Sequence, residues 1–395
     1  MTRPHVVFLG HGAELTGPPI LLGHLVAGLA ATGGYDLTVI TARSGPLLDQ
    51  YAASARTSSL GPSREPFGRT SAALRRIGAE RTVAPLQDWS RRRLTRKAPP
   101  ADLVYVNGAT PPTADLLRAL DPPRSTPVVL HVHELDIGLR LNLDDDRRRM
   151  LFDRADHVIA ASGAVARLLV GGHGLAEDRL TTCPEFVDTA AIHPLAPEAA
   201  RATAGIPVDA LVVGSVGLPD WRKDPDHLLR AVQHLRTIHP ALDPWVLWVG
   251  GEPASADGRR AADEARRLGL ADRFRHVAHQ DRPDRLLGAL DVFALPARED
   301  ALPLAALEAG AAGLPIVCFR TGGVADLCDL GAGTTVAYPD TAAFAGAVAA
   351  LLANPAERAR VGAAAQALVR SQHDSAVGVA RIQAVVDATL EAAGR

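Results

Sequence analysis

Residues Asp291–Asp326 read DVFALPAREDALPLAALEAGAAGLPIVCFRTGGVAD. Two short apolar runs, Asp291 to Leu295 and Ile316 to Phe319, flank a segment, Pro303 to Ala312, whose apolar positions recur at helical spacing. Turn-forming residues separate the three, and Gly322-Gly323 closes the stretch. The order is strand, tight turn, helix, loop, strand, glycine loop, which is one parallel βαβ unit. Glu299 and Asp300 fall just before the helix, where amide N–H groups lack intrahelical partners and the helix dipole is positive. Glu308 follows Asp300 by eight positions, about two turns along, so the two carboxylates stand toward opposite ends of one helix edge. An ordinary helix start with solvated acids has the same pattern.

The block Arg298-Glu299-Asp300, Glu308-Ala309, Gly313-Leu314-Pro315 and Gly322-Gly323 resembles the donor-sugar motif of retaining glycosyltransferases of family four. Where that family carries Glu-x7-Glu, this chain carries Asp-x7-Glu, its first acid one methylene shorter. The resemblance implies a two-domain GT-B fold, with Glu308 on the ribose hydroxyls of a nucleotide. It also implies that Glu299, Asp300, Ala301 and Leu302 hold the donor sugar, Asp300 at the catalytic centre.

Length and composition are compatible with this. A chain of 395 residues accommodates two domains of ordinary size, each with its own core. With 47% hydrophobic and 22% charged residues it has the make-up of a globular protein, and a net charge of −2 argues against a dedicated nucleic-acid binder. No apolar run is long enough for a membrane span, and MTRPHVVFLGHG enters a strand without a signal-peptide core. Cys183, Cys318 and Cys328 lack metal-ligand spacing and suit core positions in a reducing cytoplasm. Only two lysines occur, Lys97 and Lys223.

From the N-terminus, His5 to Leu9 is an apolar strand, and a glycine-rich loop, Gly10 to Pro19, leads to a helix expected near Ile20. The third glycine of a dinucleotide fingerprint is missing, which disfavours a nicotinamide dehydrogenase. In the resembling family this loop borders the donor phosphate and the acceptor, with Gly17 nearest; Pro18 departs from the small residue usual there. A second strand, Val128 to His131, runs out into His131-Val132-His133-Glu134, beyond the carboxyl end of a strand, where ligands of open α/β sheets bind. The family places a histidine there near the sugar hydroxyls, which makes His133 a candidate catalytic contact. Two alternating histidines and one acid do not make a zinc site. Asp144-Asp145-Asp146 reads as a helix start rather than a metal motif, and no divalent ion is required.

Residues 75–97 hold Arg75, Arg76, Arg81, Arg91, Arg92, Arg93, Arg96 and Lys97 around Trp89. Such a segment is either a solvated helix face or a peripheral contact with a membrane surface or acidic acceptor. The Pro- and Ala-rich loop from Ala190 to Pro207 reads as the hinge. Beyond it, strand Leu211 to Val216 is followed by Gly217-Leu-Pro-Asp-Trp-Arg222-Lys223, similar to the family's diphosphate-binding segment. The arginine usual directly after the strand is absent, and Ser215 and Val216 stand there instead.

The sequence thus leads to an α/β protein of two Rossmann-like lobes about a central cleft. An acceptor-binding lobe is expected over 1–205, a nucleotide-sugar lobe over 206–374, and a C-terminal helix over 375–395 returning to the first lobe. The implied reaction is retaining transfer of a sugar from a nucleotide-diphosphate donor, UDP- or GDP-linked, to a hydroxyl of a bacterial glycan, lipid carrier or secondary metabolite. No cofactor is expected, and Arg222 and Lys223 would stabilise the leaving diphosphate. An epimerase or phosphorylase on the same fold, or a non-catalytic nucleotide-sugar binder, stays open.

Overall fold

The computed structural model describes residues 3–61, 83–96 and 98–394. Two units account for the chain: Met1–Pro184 with Ser375–Arg395, and Glu185–Asp374. The first crossing between them therefore falls before the expected hinge, not at 205/206. The segment after Pro184 is built into the second unit: Leu195 N donates to Arg285 O at 3.0 Å, and a Cβ on Gly288 would stand 2.0 Å from Leu195 O. The Pro- and Ala-rich stretch is not all loop either. It contains the helix Pro197–Ala204, with Pro197 in the first turn and left-handed Gly205 as its stop.

In the first unit β1 (His5–Gly10), β2 (Asp36–Thr41), β3 (Arg56–Ser59), β4 (Leu103–Asn107), β5 (Val128–Val132), β6 (His157–Ala160) and β7 (Leu180–Thr182) form one parallel sheet. Its order is β3-β2-β1-β4-β5-β6-β7. Strands β1, β4 and β5 are buried along their whole length, as a sheet covered on both faces requires. The helix Ser375–Ala392 packs in this unit against the helix Gly17–Thr32. Tyr35 OH donates to Asp387 there, and Gly28 leaves the room that Val379 fills, since a Cβ would meet it at 2.7 Å.

In the second unit β8 (Val212–Val216), β9 (Trp245–Val249), β10 (Phe274–Val277), β11 (Val292–Leu295), β12 (Ile316–Phe319) and β13 (Gly333–Val336) form a parallel sheet ordered β10-β9-β8-β11-β12-β13. Trp248, Phe319 and Phe344 anchor the core on one face of it. In each sheet the strand order reverses once, between β1 and β4 and between β8 and β11. Loops leaving neighbouring strands in opposite directions open a crevice at such a point.

Asp144 caps the helix Asp145–Arg154 by accepting from Arg147 N, and Arg147, Arg148 and Arg149 each pair with one of the three acids. The acid run is therefore a helix start. Of the arginine-rich segment, Arg75, Arg76, Arg81 and Lys97 lie outside the described residues. Trp89 is exposed with Arg93 over its ring, and Arg91 is turned back onto Asp115 at 3.0 Å. No described helix is long and apolar enough to cross a membrane.

Candidate functional site

In the second unit the loop leaving β8 turns sharply. Gly217 has φ +146°, its carbonyl accepts from Trp248 Nε1 at 2.9 Å, and Asp220 Oδ1 accepts from the backbone N–H groups of Arg222 and Lys223. This sends both cationic side chains to the Asp300 carboxylate: Lys223 Nζ and Arg222 Nη1 each lie 2.6 Å from Oδ2. Asp224, in the left-handed region at φ +52°, caps the helix Pro225–Ile238 and takes Arg298 Nε at 2.8 Å with its other oxygen. Arg298 N donates to Arg222 O at 2.8 Å. The two loops flanking the strand-order reversal are thereby stitched together, backbone and side chain.

Burial opposes ionisation of Asp300, but Lys223 and then Arg222 outweigh it and hold the carboxyl below its ordinary range. Lys223 is lowered by burial, with Asp300 opposing that loss; the carboxylate is what keeps the ammonium charged. Asp220 and Glu299 also act on Arg222, so three carboxylates surround the two cations.

Glu299 is buried beside it, and its carbonyl faces Arg222 Nη1 at 3.4 Å. Ala301 and Leu302 bury their side chains, so peptide groups are what they offer; Ala301 O accepts from Gly323 N at 2.7 Å. Gly322 lies flat on the Asp300 backbone, where a Cβ would stand 1.6 Å from the carbonyl oxygen. Glu308 sits on the helix Leu304–Ala311, half-buried. Burial, reinforced by Asp284, pushes its carboxyl up to about 7. Among the described residues no hydrogen bond or ion pair engages it. Ser215 is buried in β8.

The other two sequence candidates belong to the first unit. His133 Nε2 meets Asn107 Oδ1 at 3.0 Å, its ring lies 4.0 Å from that of His131, and Glu134 accepts from His133 N and Ala109 N. His131 instead faces Tyr105 OH at 2.7 Å. Gly17 is the first residue of its helix, which starts three residues before the expected Ile20. Pro18 and Pro19 occupy the first turn, where a missing N–H costs nothing, so the departure at Pro18 is a helix start.

The structure therefore joins Arg222, Lys223, Asp300 and Glu299 in one cluster and keeps Glu308 apart from it. Sequence reasoning passed over Asp220, Asp224 and Asn107. The Asp224-Pro225 step, an N-cap followed by Pro at the first helical position, is the signal that could have found one of them.

Residues 17–191 match the family described as Glycosyltransferase Family 4, and residues 197–368 match the one described as Glycosyl transferases group 1. This chain belongs to the family-four glycosyltransferases. Its relatives include D-inositol 3-phosphate glycosyltransferase 2 of Catenulispora acidiphila, 37% identical over 51% of this chain and 49% of that protein. The D-inositol 3-phosphate glycosyltransferase of Stackebrandtia nassauensis is 33% identical over 53% of this chain and 49% of its own. The family-four chain thus spans about half the length of the curated relatives it matches. Among solved structures, sucrose-phosphate synthase from Thermosynechococcus elongatus superposes with TM-score 0.78 at 20% identity, over 99% of this chain and 100% of that one. Anabaena Alr3699/HepE in complex with UDP and glucose gives 0.77 at 16%, over 98% and 100%. At these identities the likeness is one of fold: the family-four chain has the GT-B pair of Rossmann-like units.

Proposed function

We propose that the chain is a retaining glycosyltransferase that moves a sugar from a nucleotide-diphosphate donor to an acceptor hydroxyl without a required metal ion. The observation that carries this reading is the convergence of Arg222 and Lys223 on Asp300 at the strand-order reversal of the second sheet. A pair of cationic side chains, placed by the backbone N–H groups that donate to Asp220, suits a diphosphate. Its largest effect comes as the glycosidic bond breaks and charge gathers on the leaving group. Glu308 offers two oxygens that accept from ribose hydroxyls. Asp300, Glu299 and the peptide groups of Ala301 and Leu302 would face the sugar, and His133 and Gly17 are separate candidate contacts of the first unit. The acceptor hydroxyl attacks the face the diphosphate leaves, and its proton passes to the departing phosphate, which makes no demand for a dedicated base.

UDP-glucose is the first donor to try, since Alr3699/HepE is held with UDP and glucose. The name shared by the relatives makes an inositol phosphate the first acceptor. The test is isothermal titration with UDP- and GDP-sugars in EDTA and then with Mg²⁺. Binding in EDTA, abolished in Lys223→Ala and weakened in Glu308→Ala, supports the reading; binding only with Mg²⁺ overturns its metal-free form. No binding to any nucleotide-sugar overturns it altogether.

A further inference from the structure

A cavity of about 930 Å³ opens within the first unit. One wall belongs to the far end of the sheet: Pro127 precedes β5, Asp156 and His157 stand at the entry of β6, and Thr181 lies in β7, the last strand of the order. His133 follows the opposite, carboxyl end of β5, and Gly17 follows β1, four places from β7. The cavity is therefore separate from both candidates of this unit.

The other wall is the returning helix Ser375–Ala392, which presents Ala384, Ala388 and Ala392. Residues four apart share one helix face, and these three are exposed. The helix buries Ile382, Val386 and Leu390 on its other side, while the alanine methyls leave the volume beside β6 and β7 unfilled. From Ala384 to Ala392 the apolar row is about 12 Å long, at 1.5 Å per residue, the reach of a medium-length alkyl chain.

Charge gives the cavity a sign. Arg124 and Arg381 line it together with one carboxylate, Asp156. That carboxylate is already committed: it accepts from Val128 N at 2.8 Å and pairs with Arg154 at 3.2 Å. His157 Nε2 meets Thr181 Oγ1 at 2.8 Å, and burial, followed by Arg179, lowers its pKa, so the ring is neutral near pH 7. Arg124 is exposed and, among the described residues, has no hydrogen bond or ion pair. A concave apolar row with cations at hand and its one acid neutralised is complementary to an acidic head on an alkyl chain.

We propose that this cavity binds a single-chain amphiphile with an anionic head, its chain along Ala384, Ala388 and Ala392 and its head on the guanidinium groups of Arg124 and Arg381. The site stands on the first unit alone and does not depend on the glycosyltransferase reading. A fatty acid and an alkyl phosphate share the required chemistry.

The experiment is isothermal titration of the full chain with hexanoate, octanoate and decanoate, each below its micelle concentration, and with octyl phosphate, octanol and acetate. Affinity is expected to rise about fourfold with each methylene added, the value of burying one, and acetate should give no binding. Octyl phosphate beside octanoate tells which head the site takes, and octanol should bind about tenfold more weakly than the better of the two, for want of one charge-assisted hydrogen bond. Ala388→Glu, at an exposed helix position, sets a carboxylate in the path of the chain and should abolish binding. Arg124→Gln with Arg381→Gln should bring both acids down to the level of octanol. If either variant does not fold, crystals of the unaltered protein soaked in decanoate replace it; density along Ala384, Ala388 and Ala392 is the supporting result, and density only elsewhere the contrary one. No saturable binding of either acid, an affinity indifferent to chain length, octanol binding as tightly as the acids, or full binding in Ala388→Glu each overturns the proposal.

Discussion

Glu308, pushed up to about 7, carries its proton about half the time near neutrality, while a ribose hydroxyl donating to it needs the carboxylate. Nucleotide-sugar affinity should therefore rise as pH climbs from 6 to 8, about tenfold at most, one pK unit being worth about 1.4 kcal/mol. A nucleotide-sugar suits the measurement because its diphosphate diester has no proton of its own to lose in that range. Isothermal titration of UDP- or GDP-sugar at the two pH values checks this; Glu308→Gln should bind more weakly at pH 8 and lose the slope, and a slope kept by the variant would assign it elsewhere. Asp300 behaves in the opposite sense. Its carboxyl is held below the unfolded value of about 3.9, so the stability it contributes is present above about pH 4 and is lost as pH falls through the lower, folded value. Asp300→Asn leaves Lys223 buried beside Arg222 without the carboxylate that both touch, a loss of about 3–5 kcal/mol in the denaturation step of the second unit, narrowing below about pH 4. Denaturant titrations at pH 3 and pH 7 read the difference directly. Lys223 was legible in the sequence because lysine is so scarce and this one follows a strand. Asp220 was not, since its task is two backbone hydrogen bonds within a turn, which residue type and spacing do not announce.

Among the elements, the strands of Asp291–Asp326 lie where apolar runs and turn residues put them, because a strand buried on both faces has no freedom in its composition. The helix starts were harder. Two prolines after Gly17 and the Pro197-initiated helix both read as loop, although proline is at home in a first helical turn. The Gly322-Gly323 loop gave a signal whose cause the sequence hid: Gly322 is needed by its contact with Asp300, twenty-two positions earlier. Gly322→Ala drives a Cβ into the Asp300 carbonyl, and neither loop is free to move, since Thr321 Oγ1 donates to Ala297 O and Gly323 N to Ala301 O. Overpacking of this kind costs about 1–3 kcal/mol. The loss should appear as a lowered melting temperature with weakened nucleotide-sugar binding. Binding retained at full strength would free the loop from any part in the donor site.

At the scale of the whole molecule the two units differ in how the chain builds them. The second is one continuous segment, Glu185–Asp374, whereas the first needs Ser375–Arg395 to complete it. That return is substantial: the helix Ser375–Ala392 buries Val379, Ile382, Val385, Val386 and Leu390, each worth about 1.5–3 kcal/mol when removed from water. The sequence showed a C-terminal helix, but the place where the chain first leaves unit one was hidden, because the hinge it suggested contains a helix docked on the second unit. The consequence can be tested by excision. Arg222, Lys223, Glu299, Asp300, Ala301, Leu302 and Glu308 all lie within 185–374, so that segment expressed alone should unfold in a single cooperative step and bind a nucleotide-sugar, while transferring nothing. Residues 1–184 alone should not fold cooperatively, and joining 375–395 to them through a flexible linker should restore a melting transition. Calorimetry and titration of the three polypeptides check these outcomes. If the excised second unit folds but does not bind while the intact chain does, the donor site requires His133 or another group of the first unit, and the cluster around Asp300 is insufficient for the diphosphate.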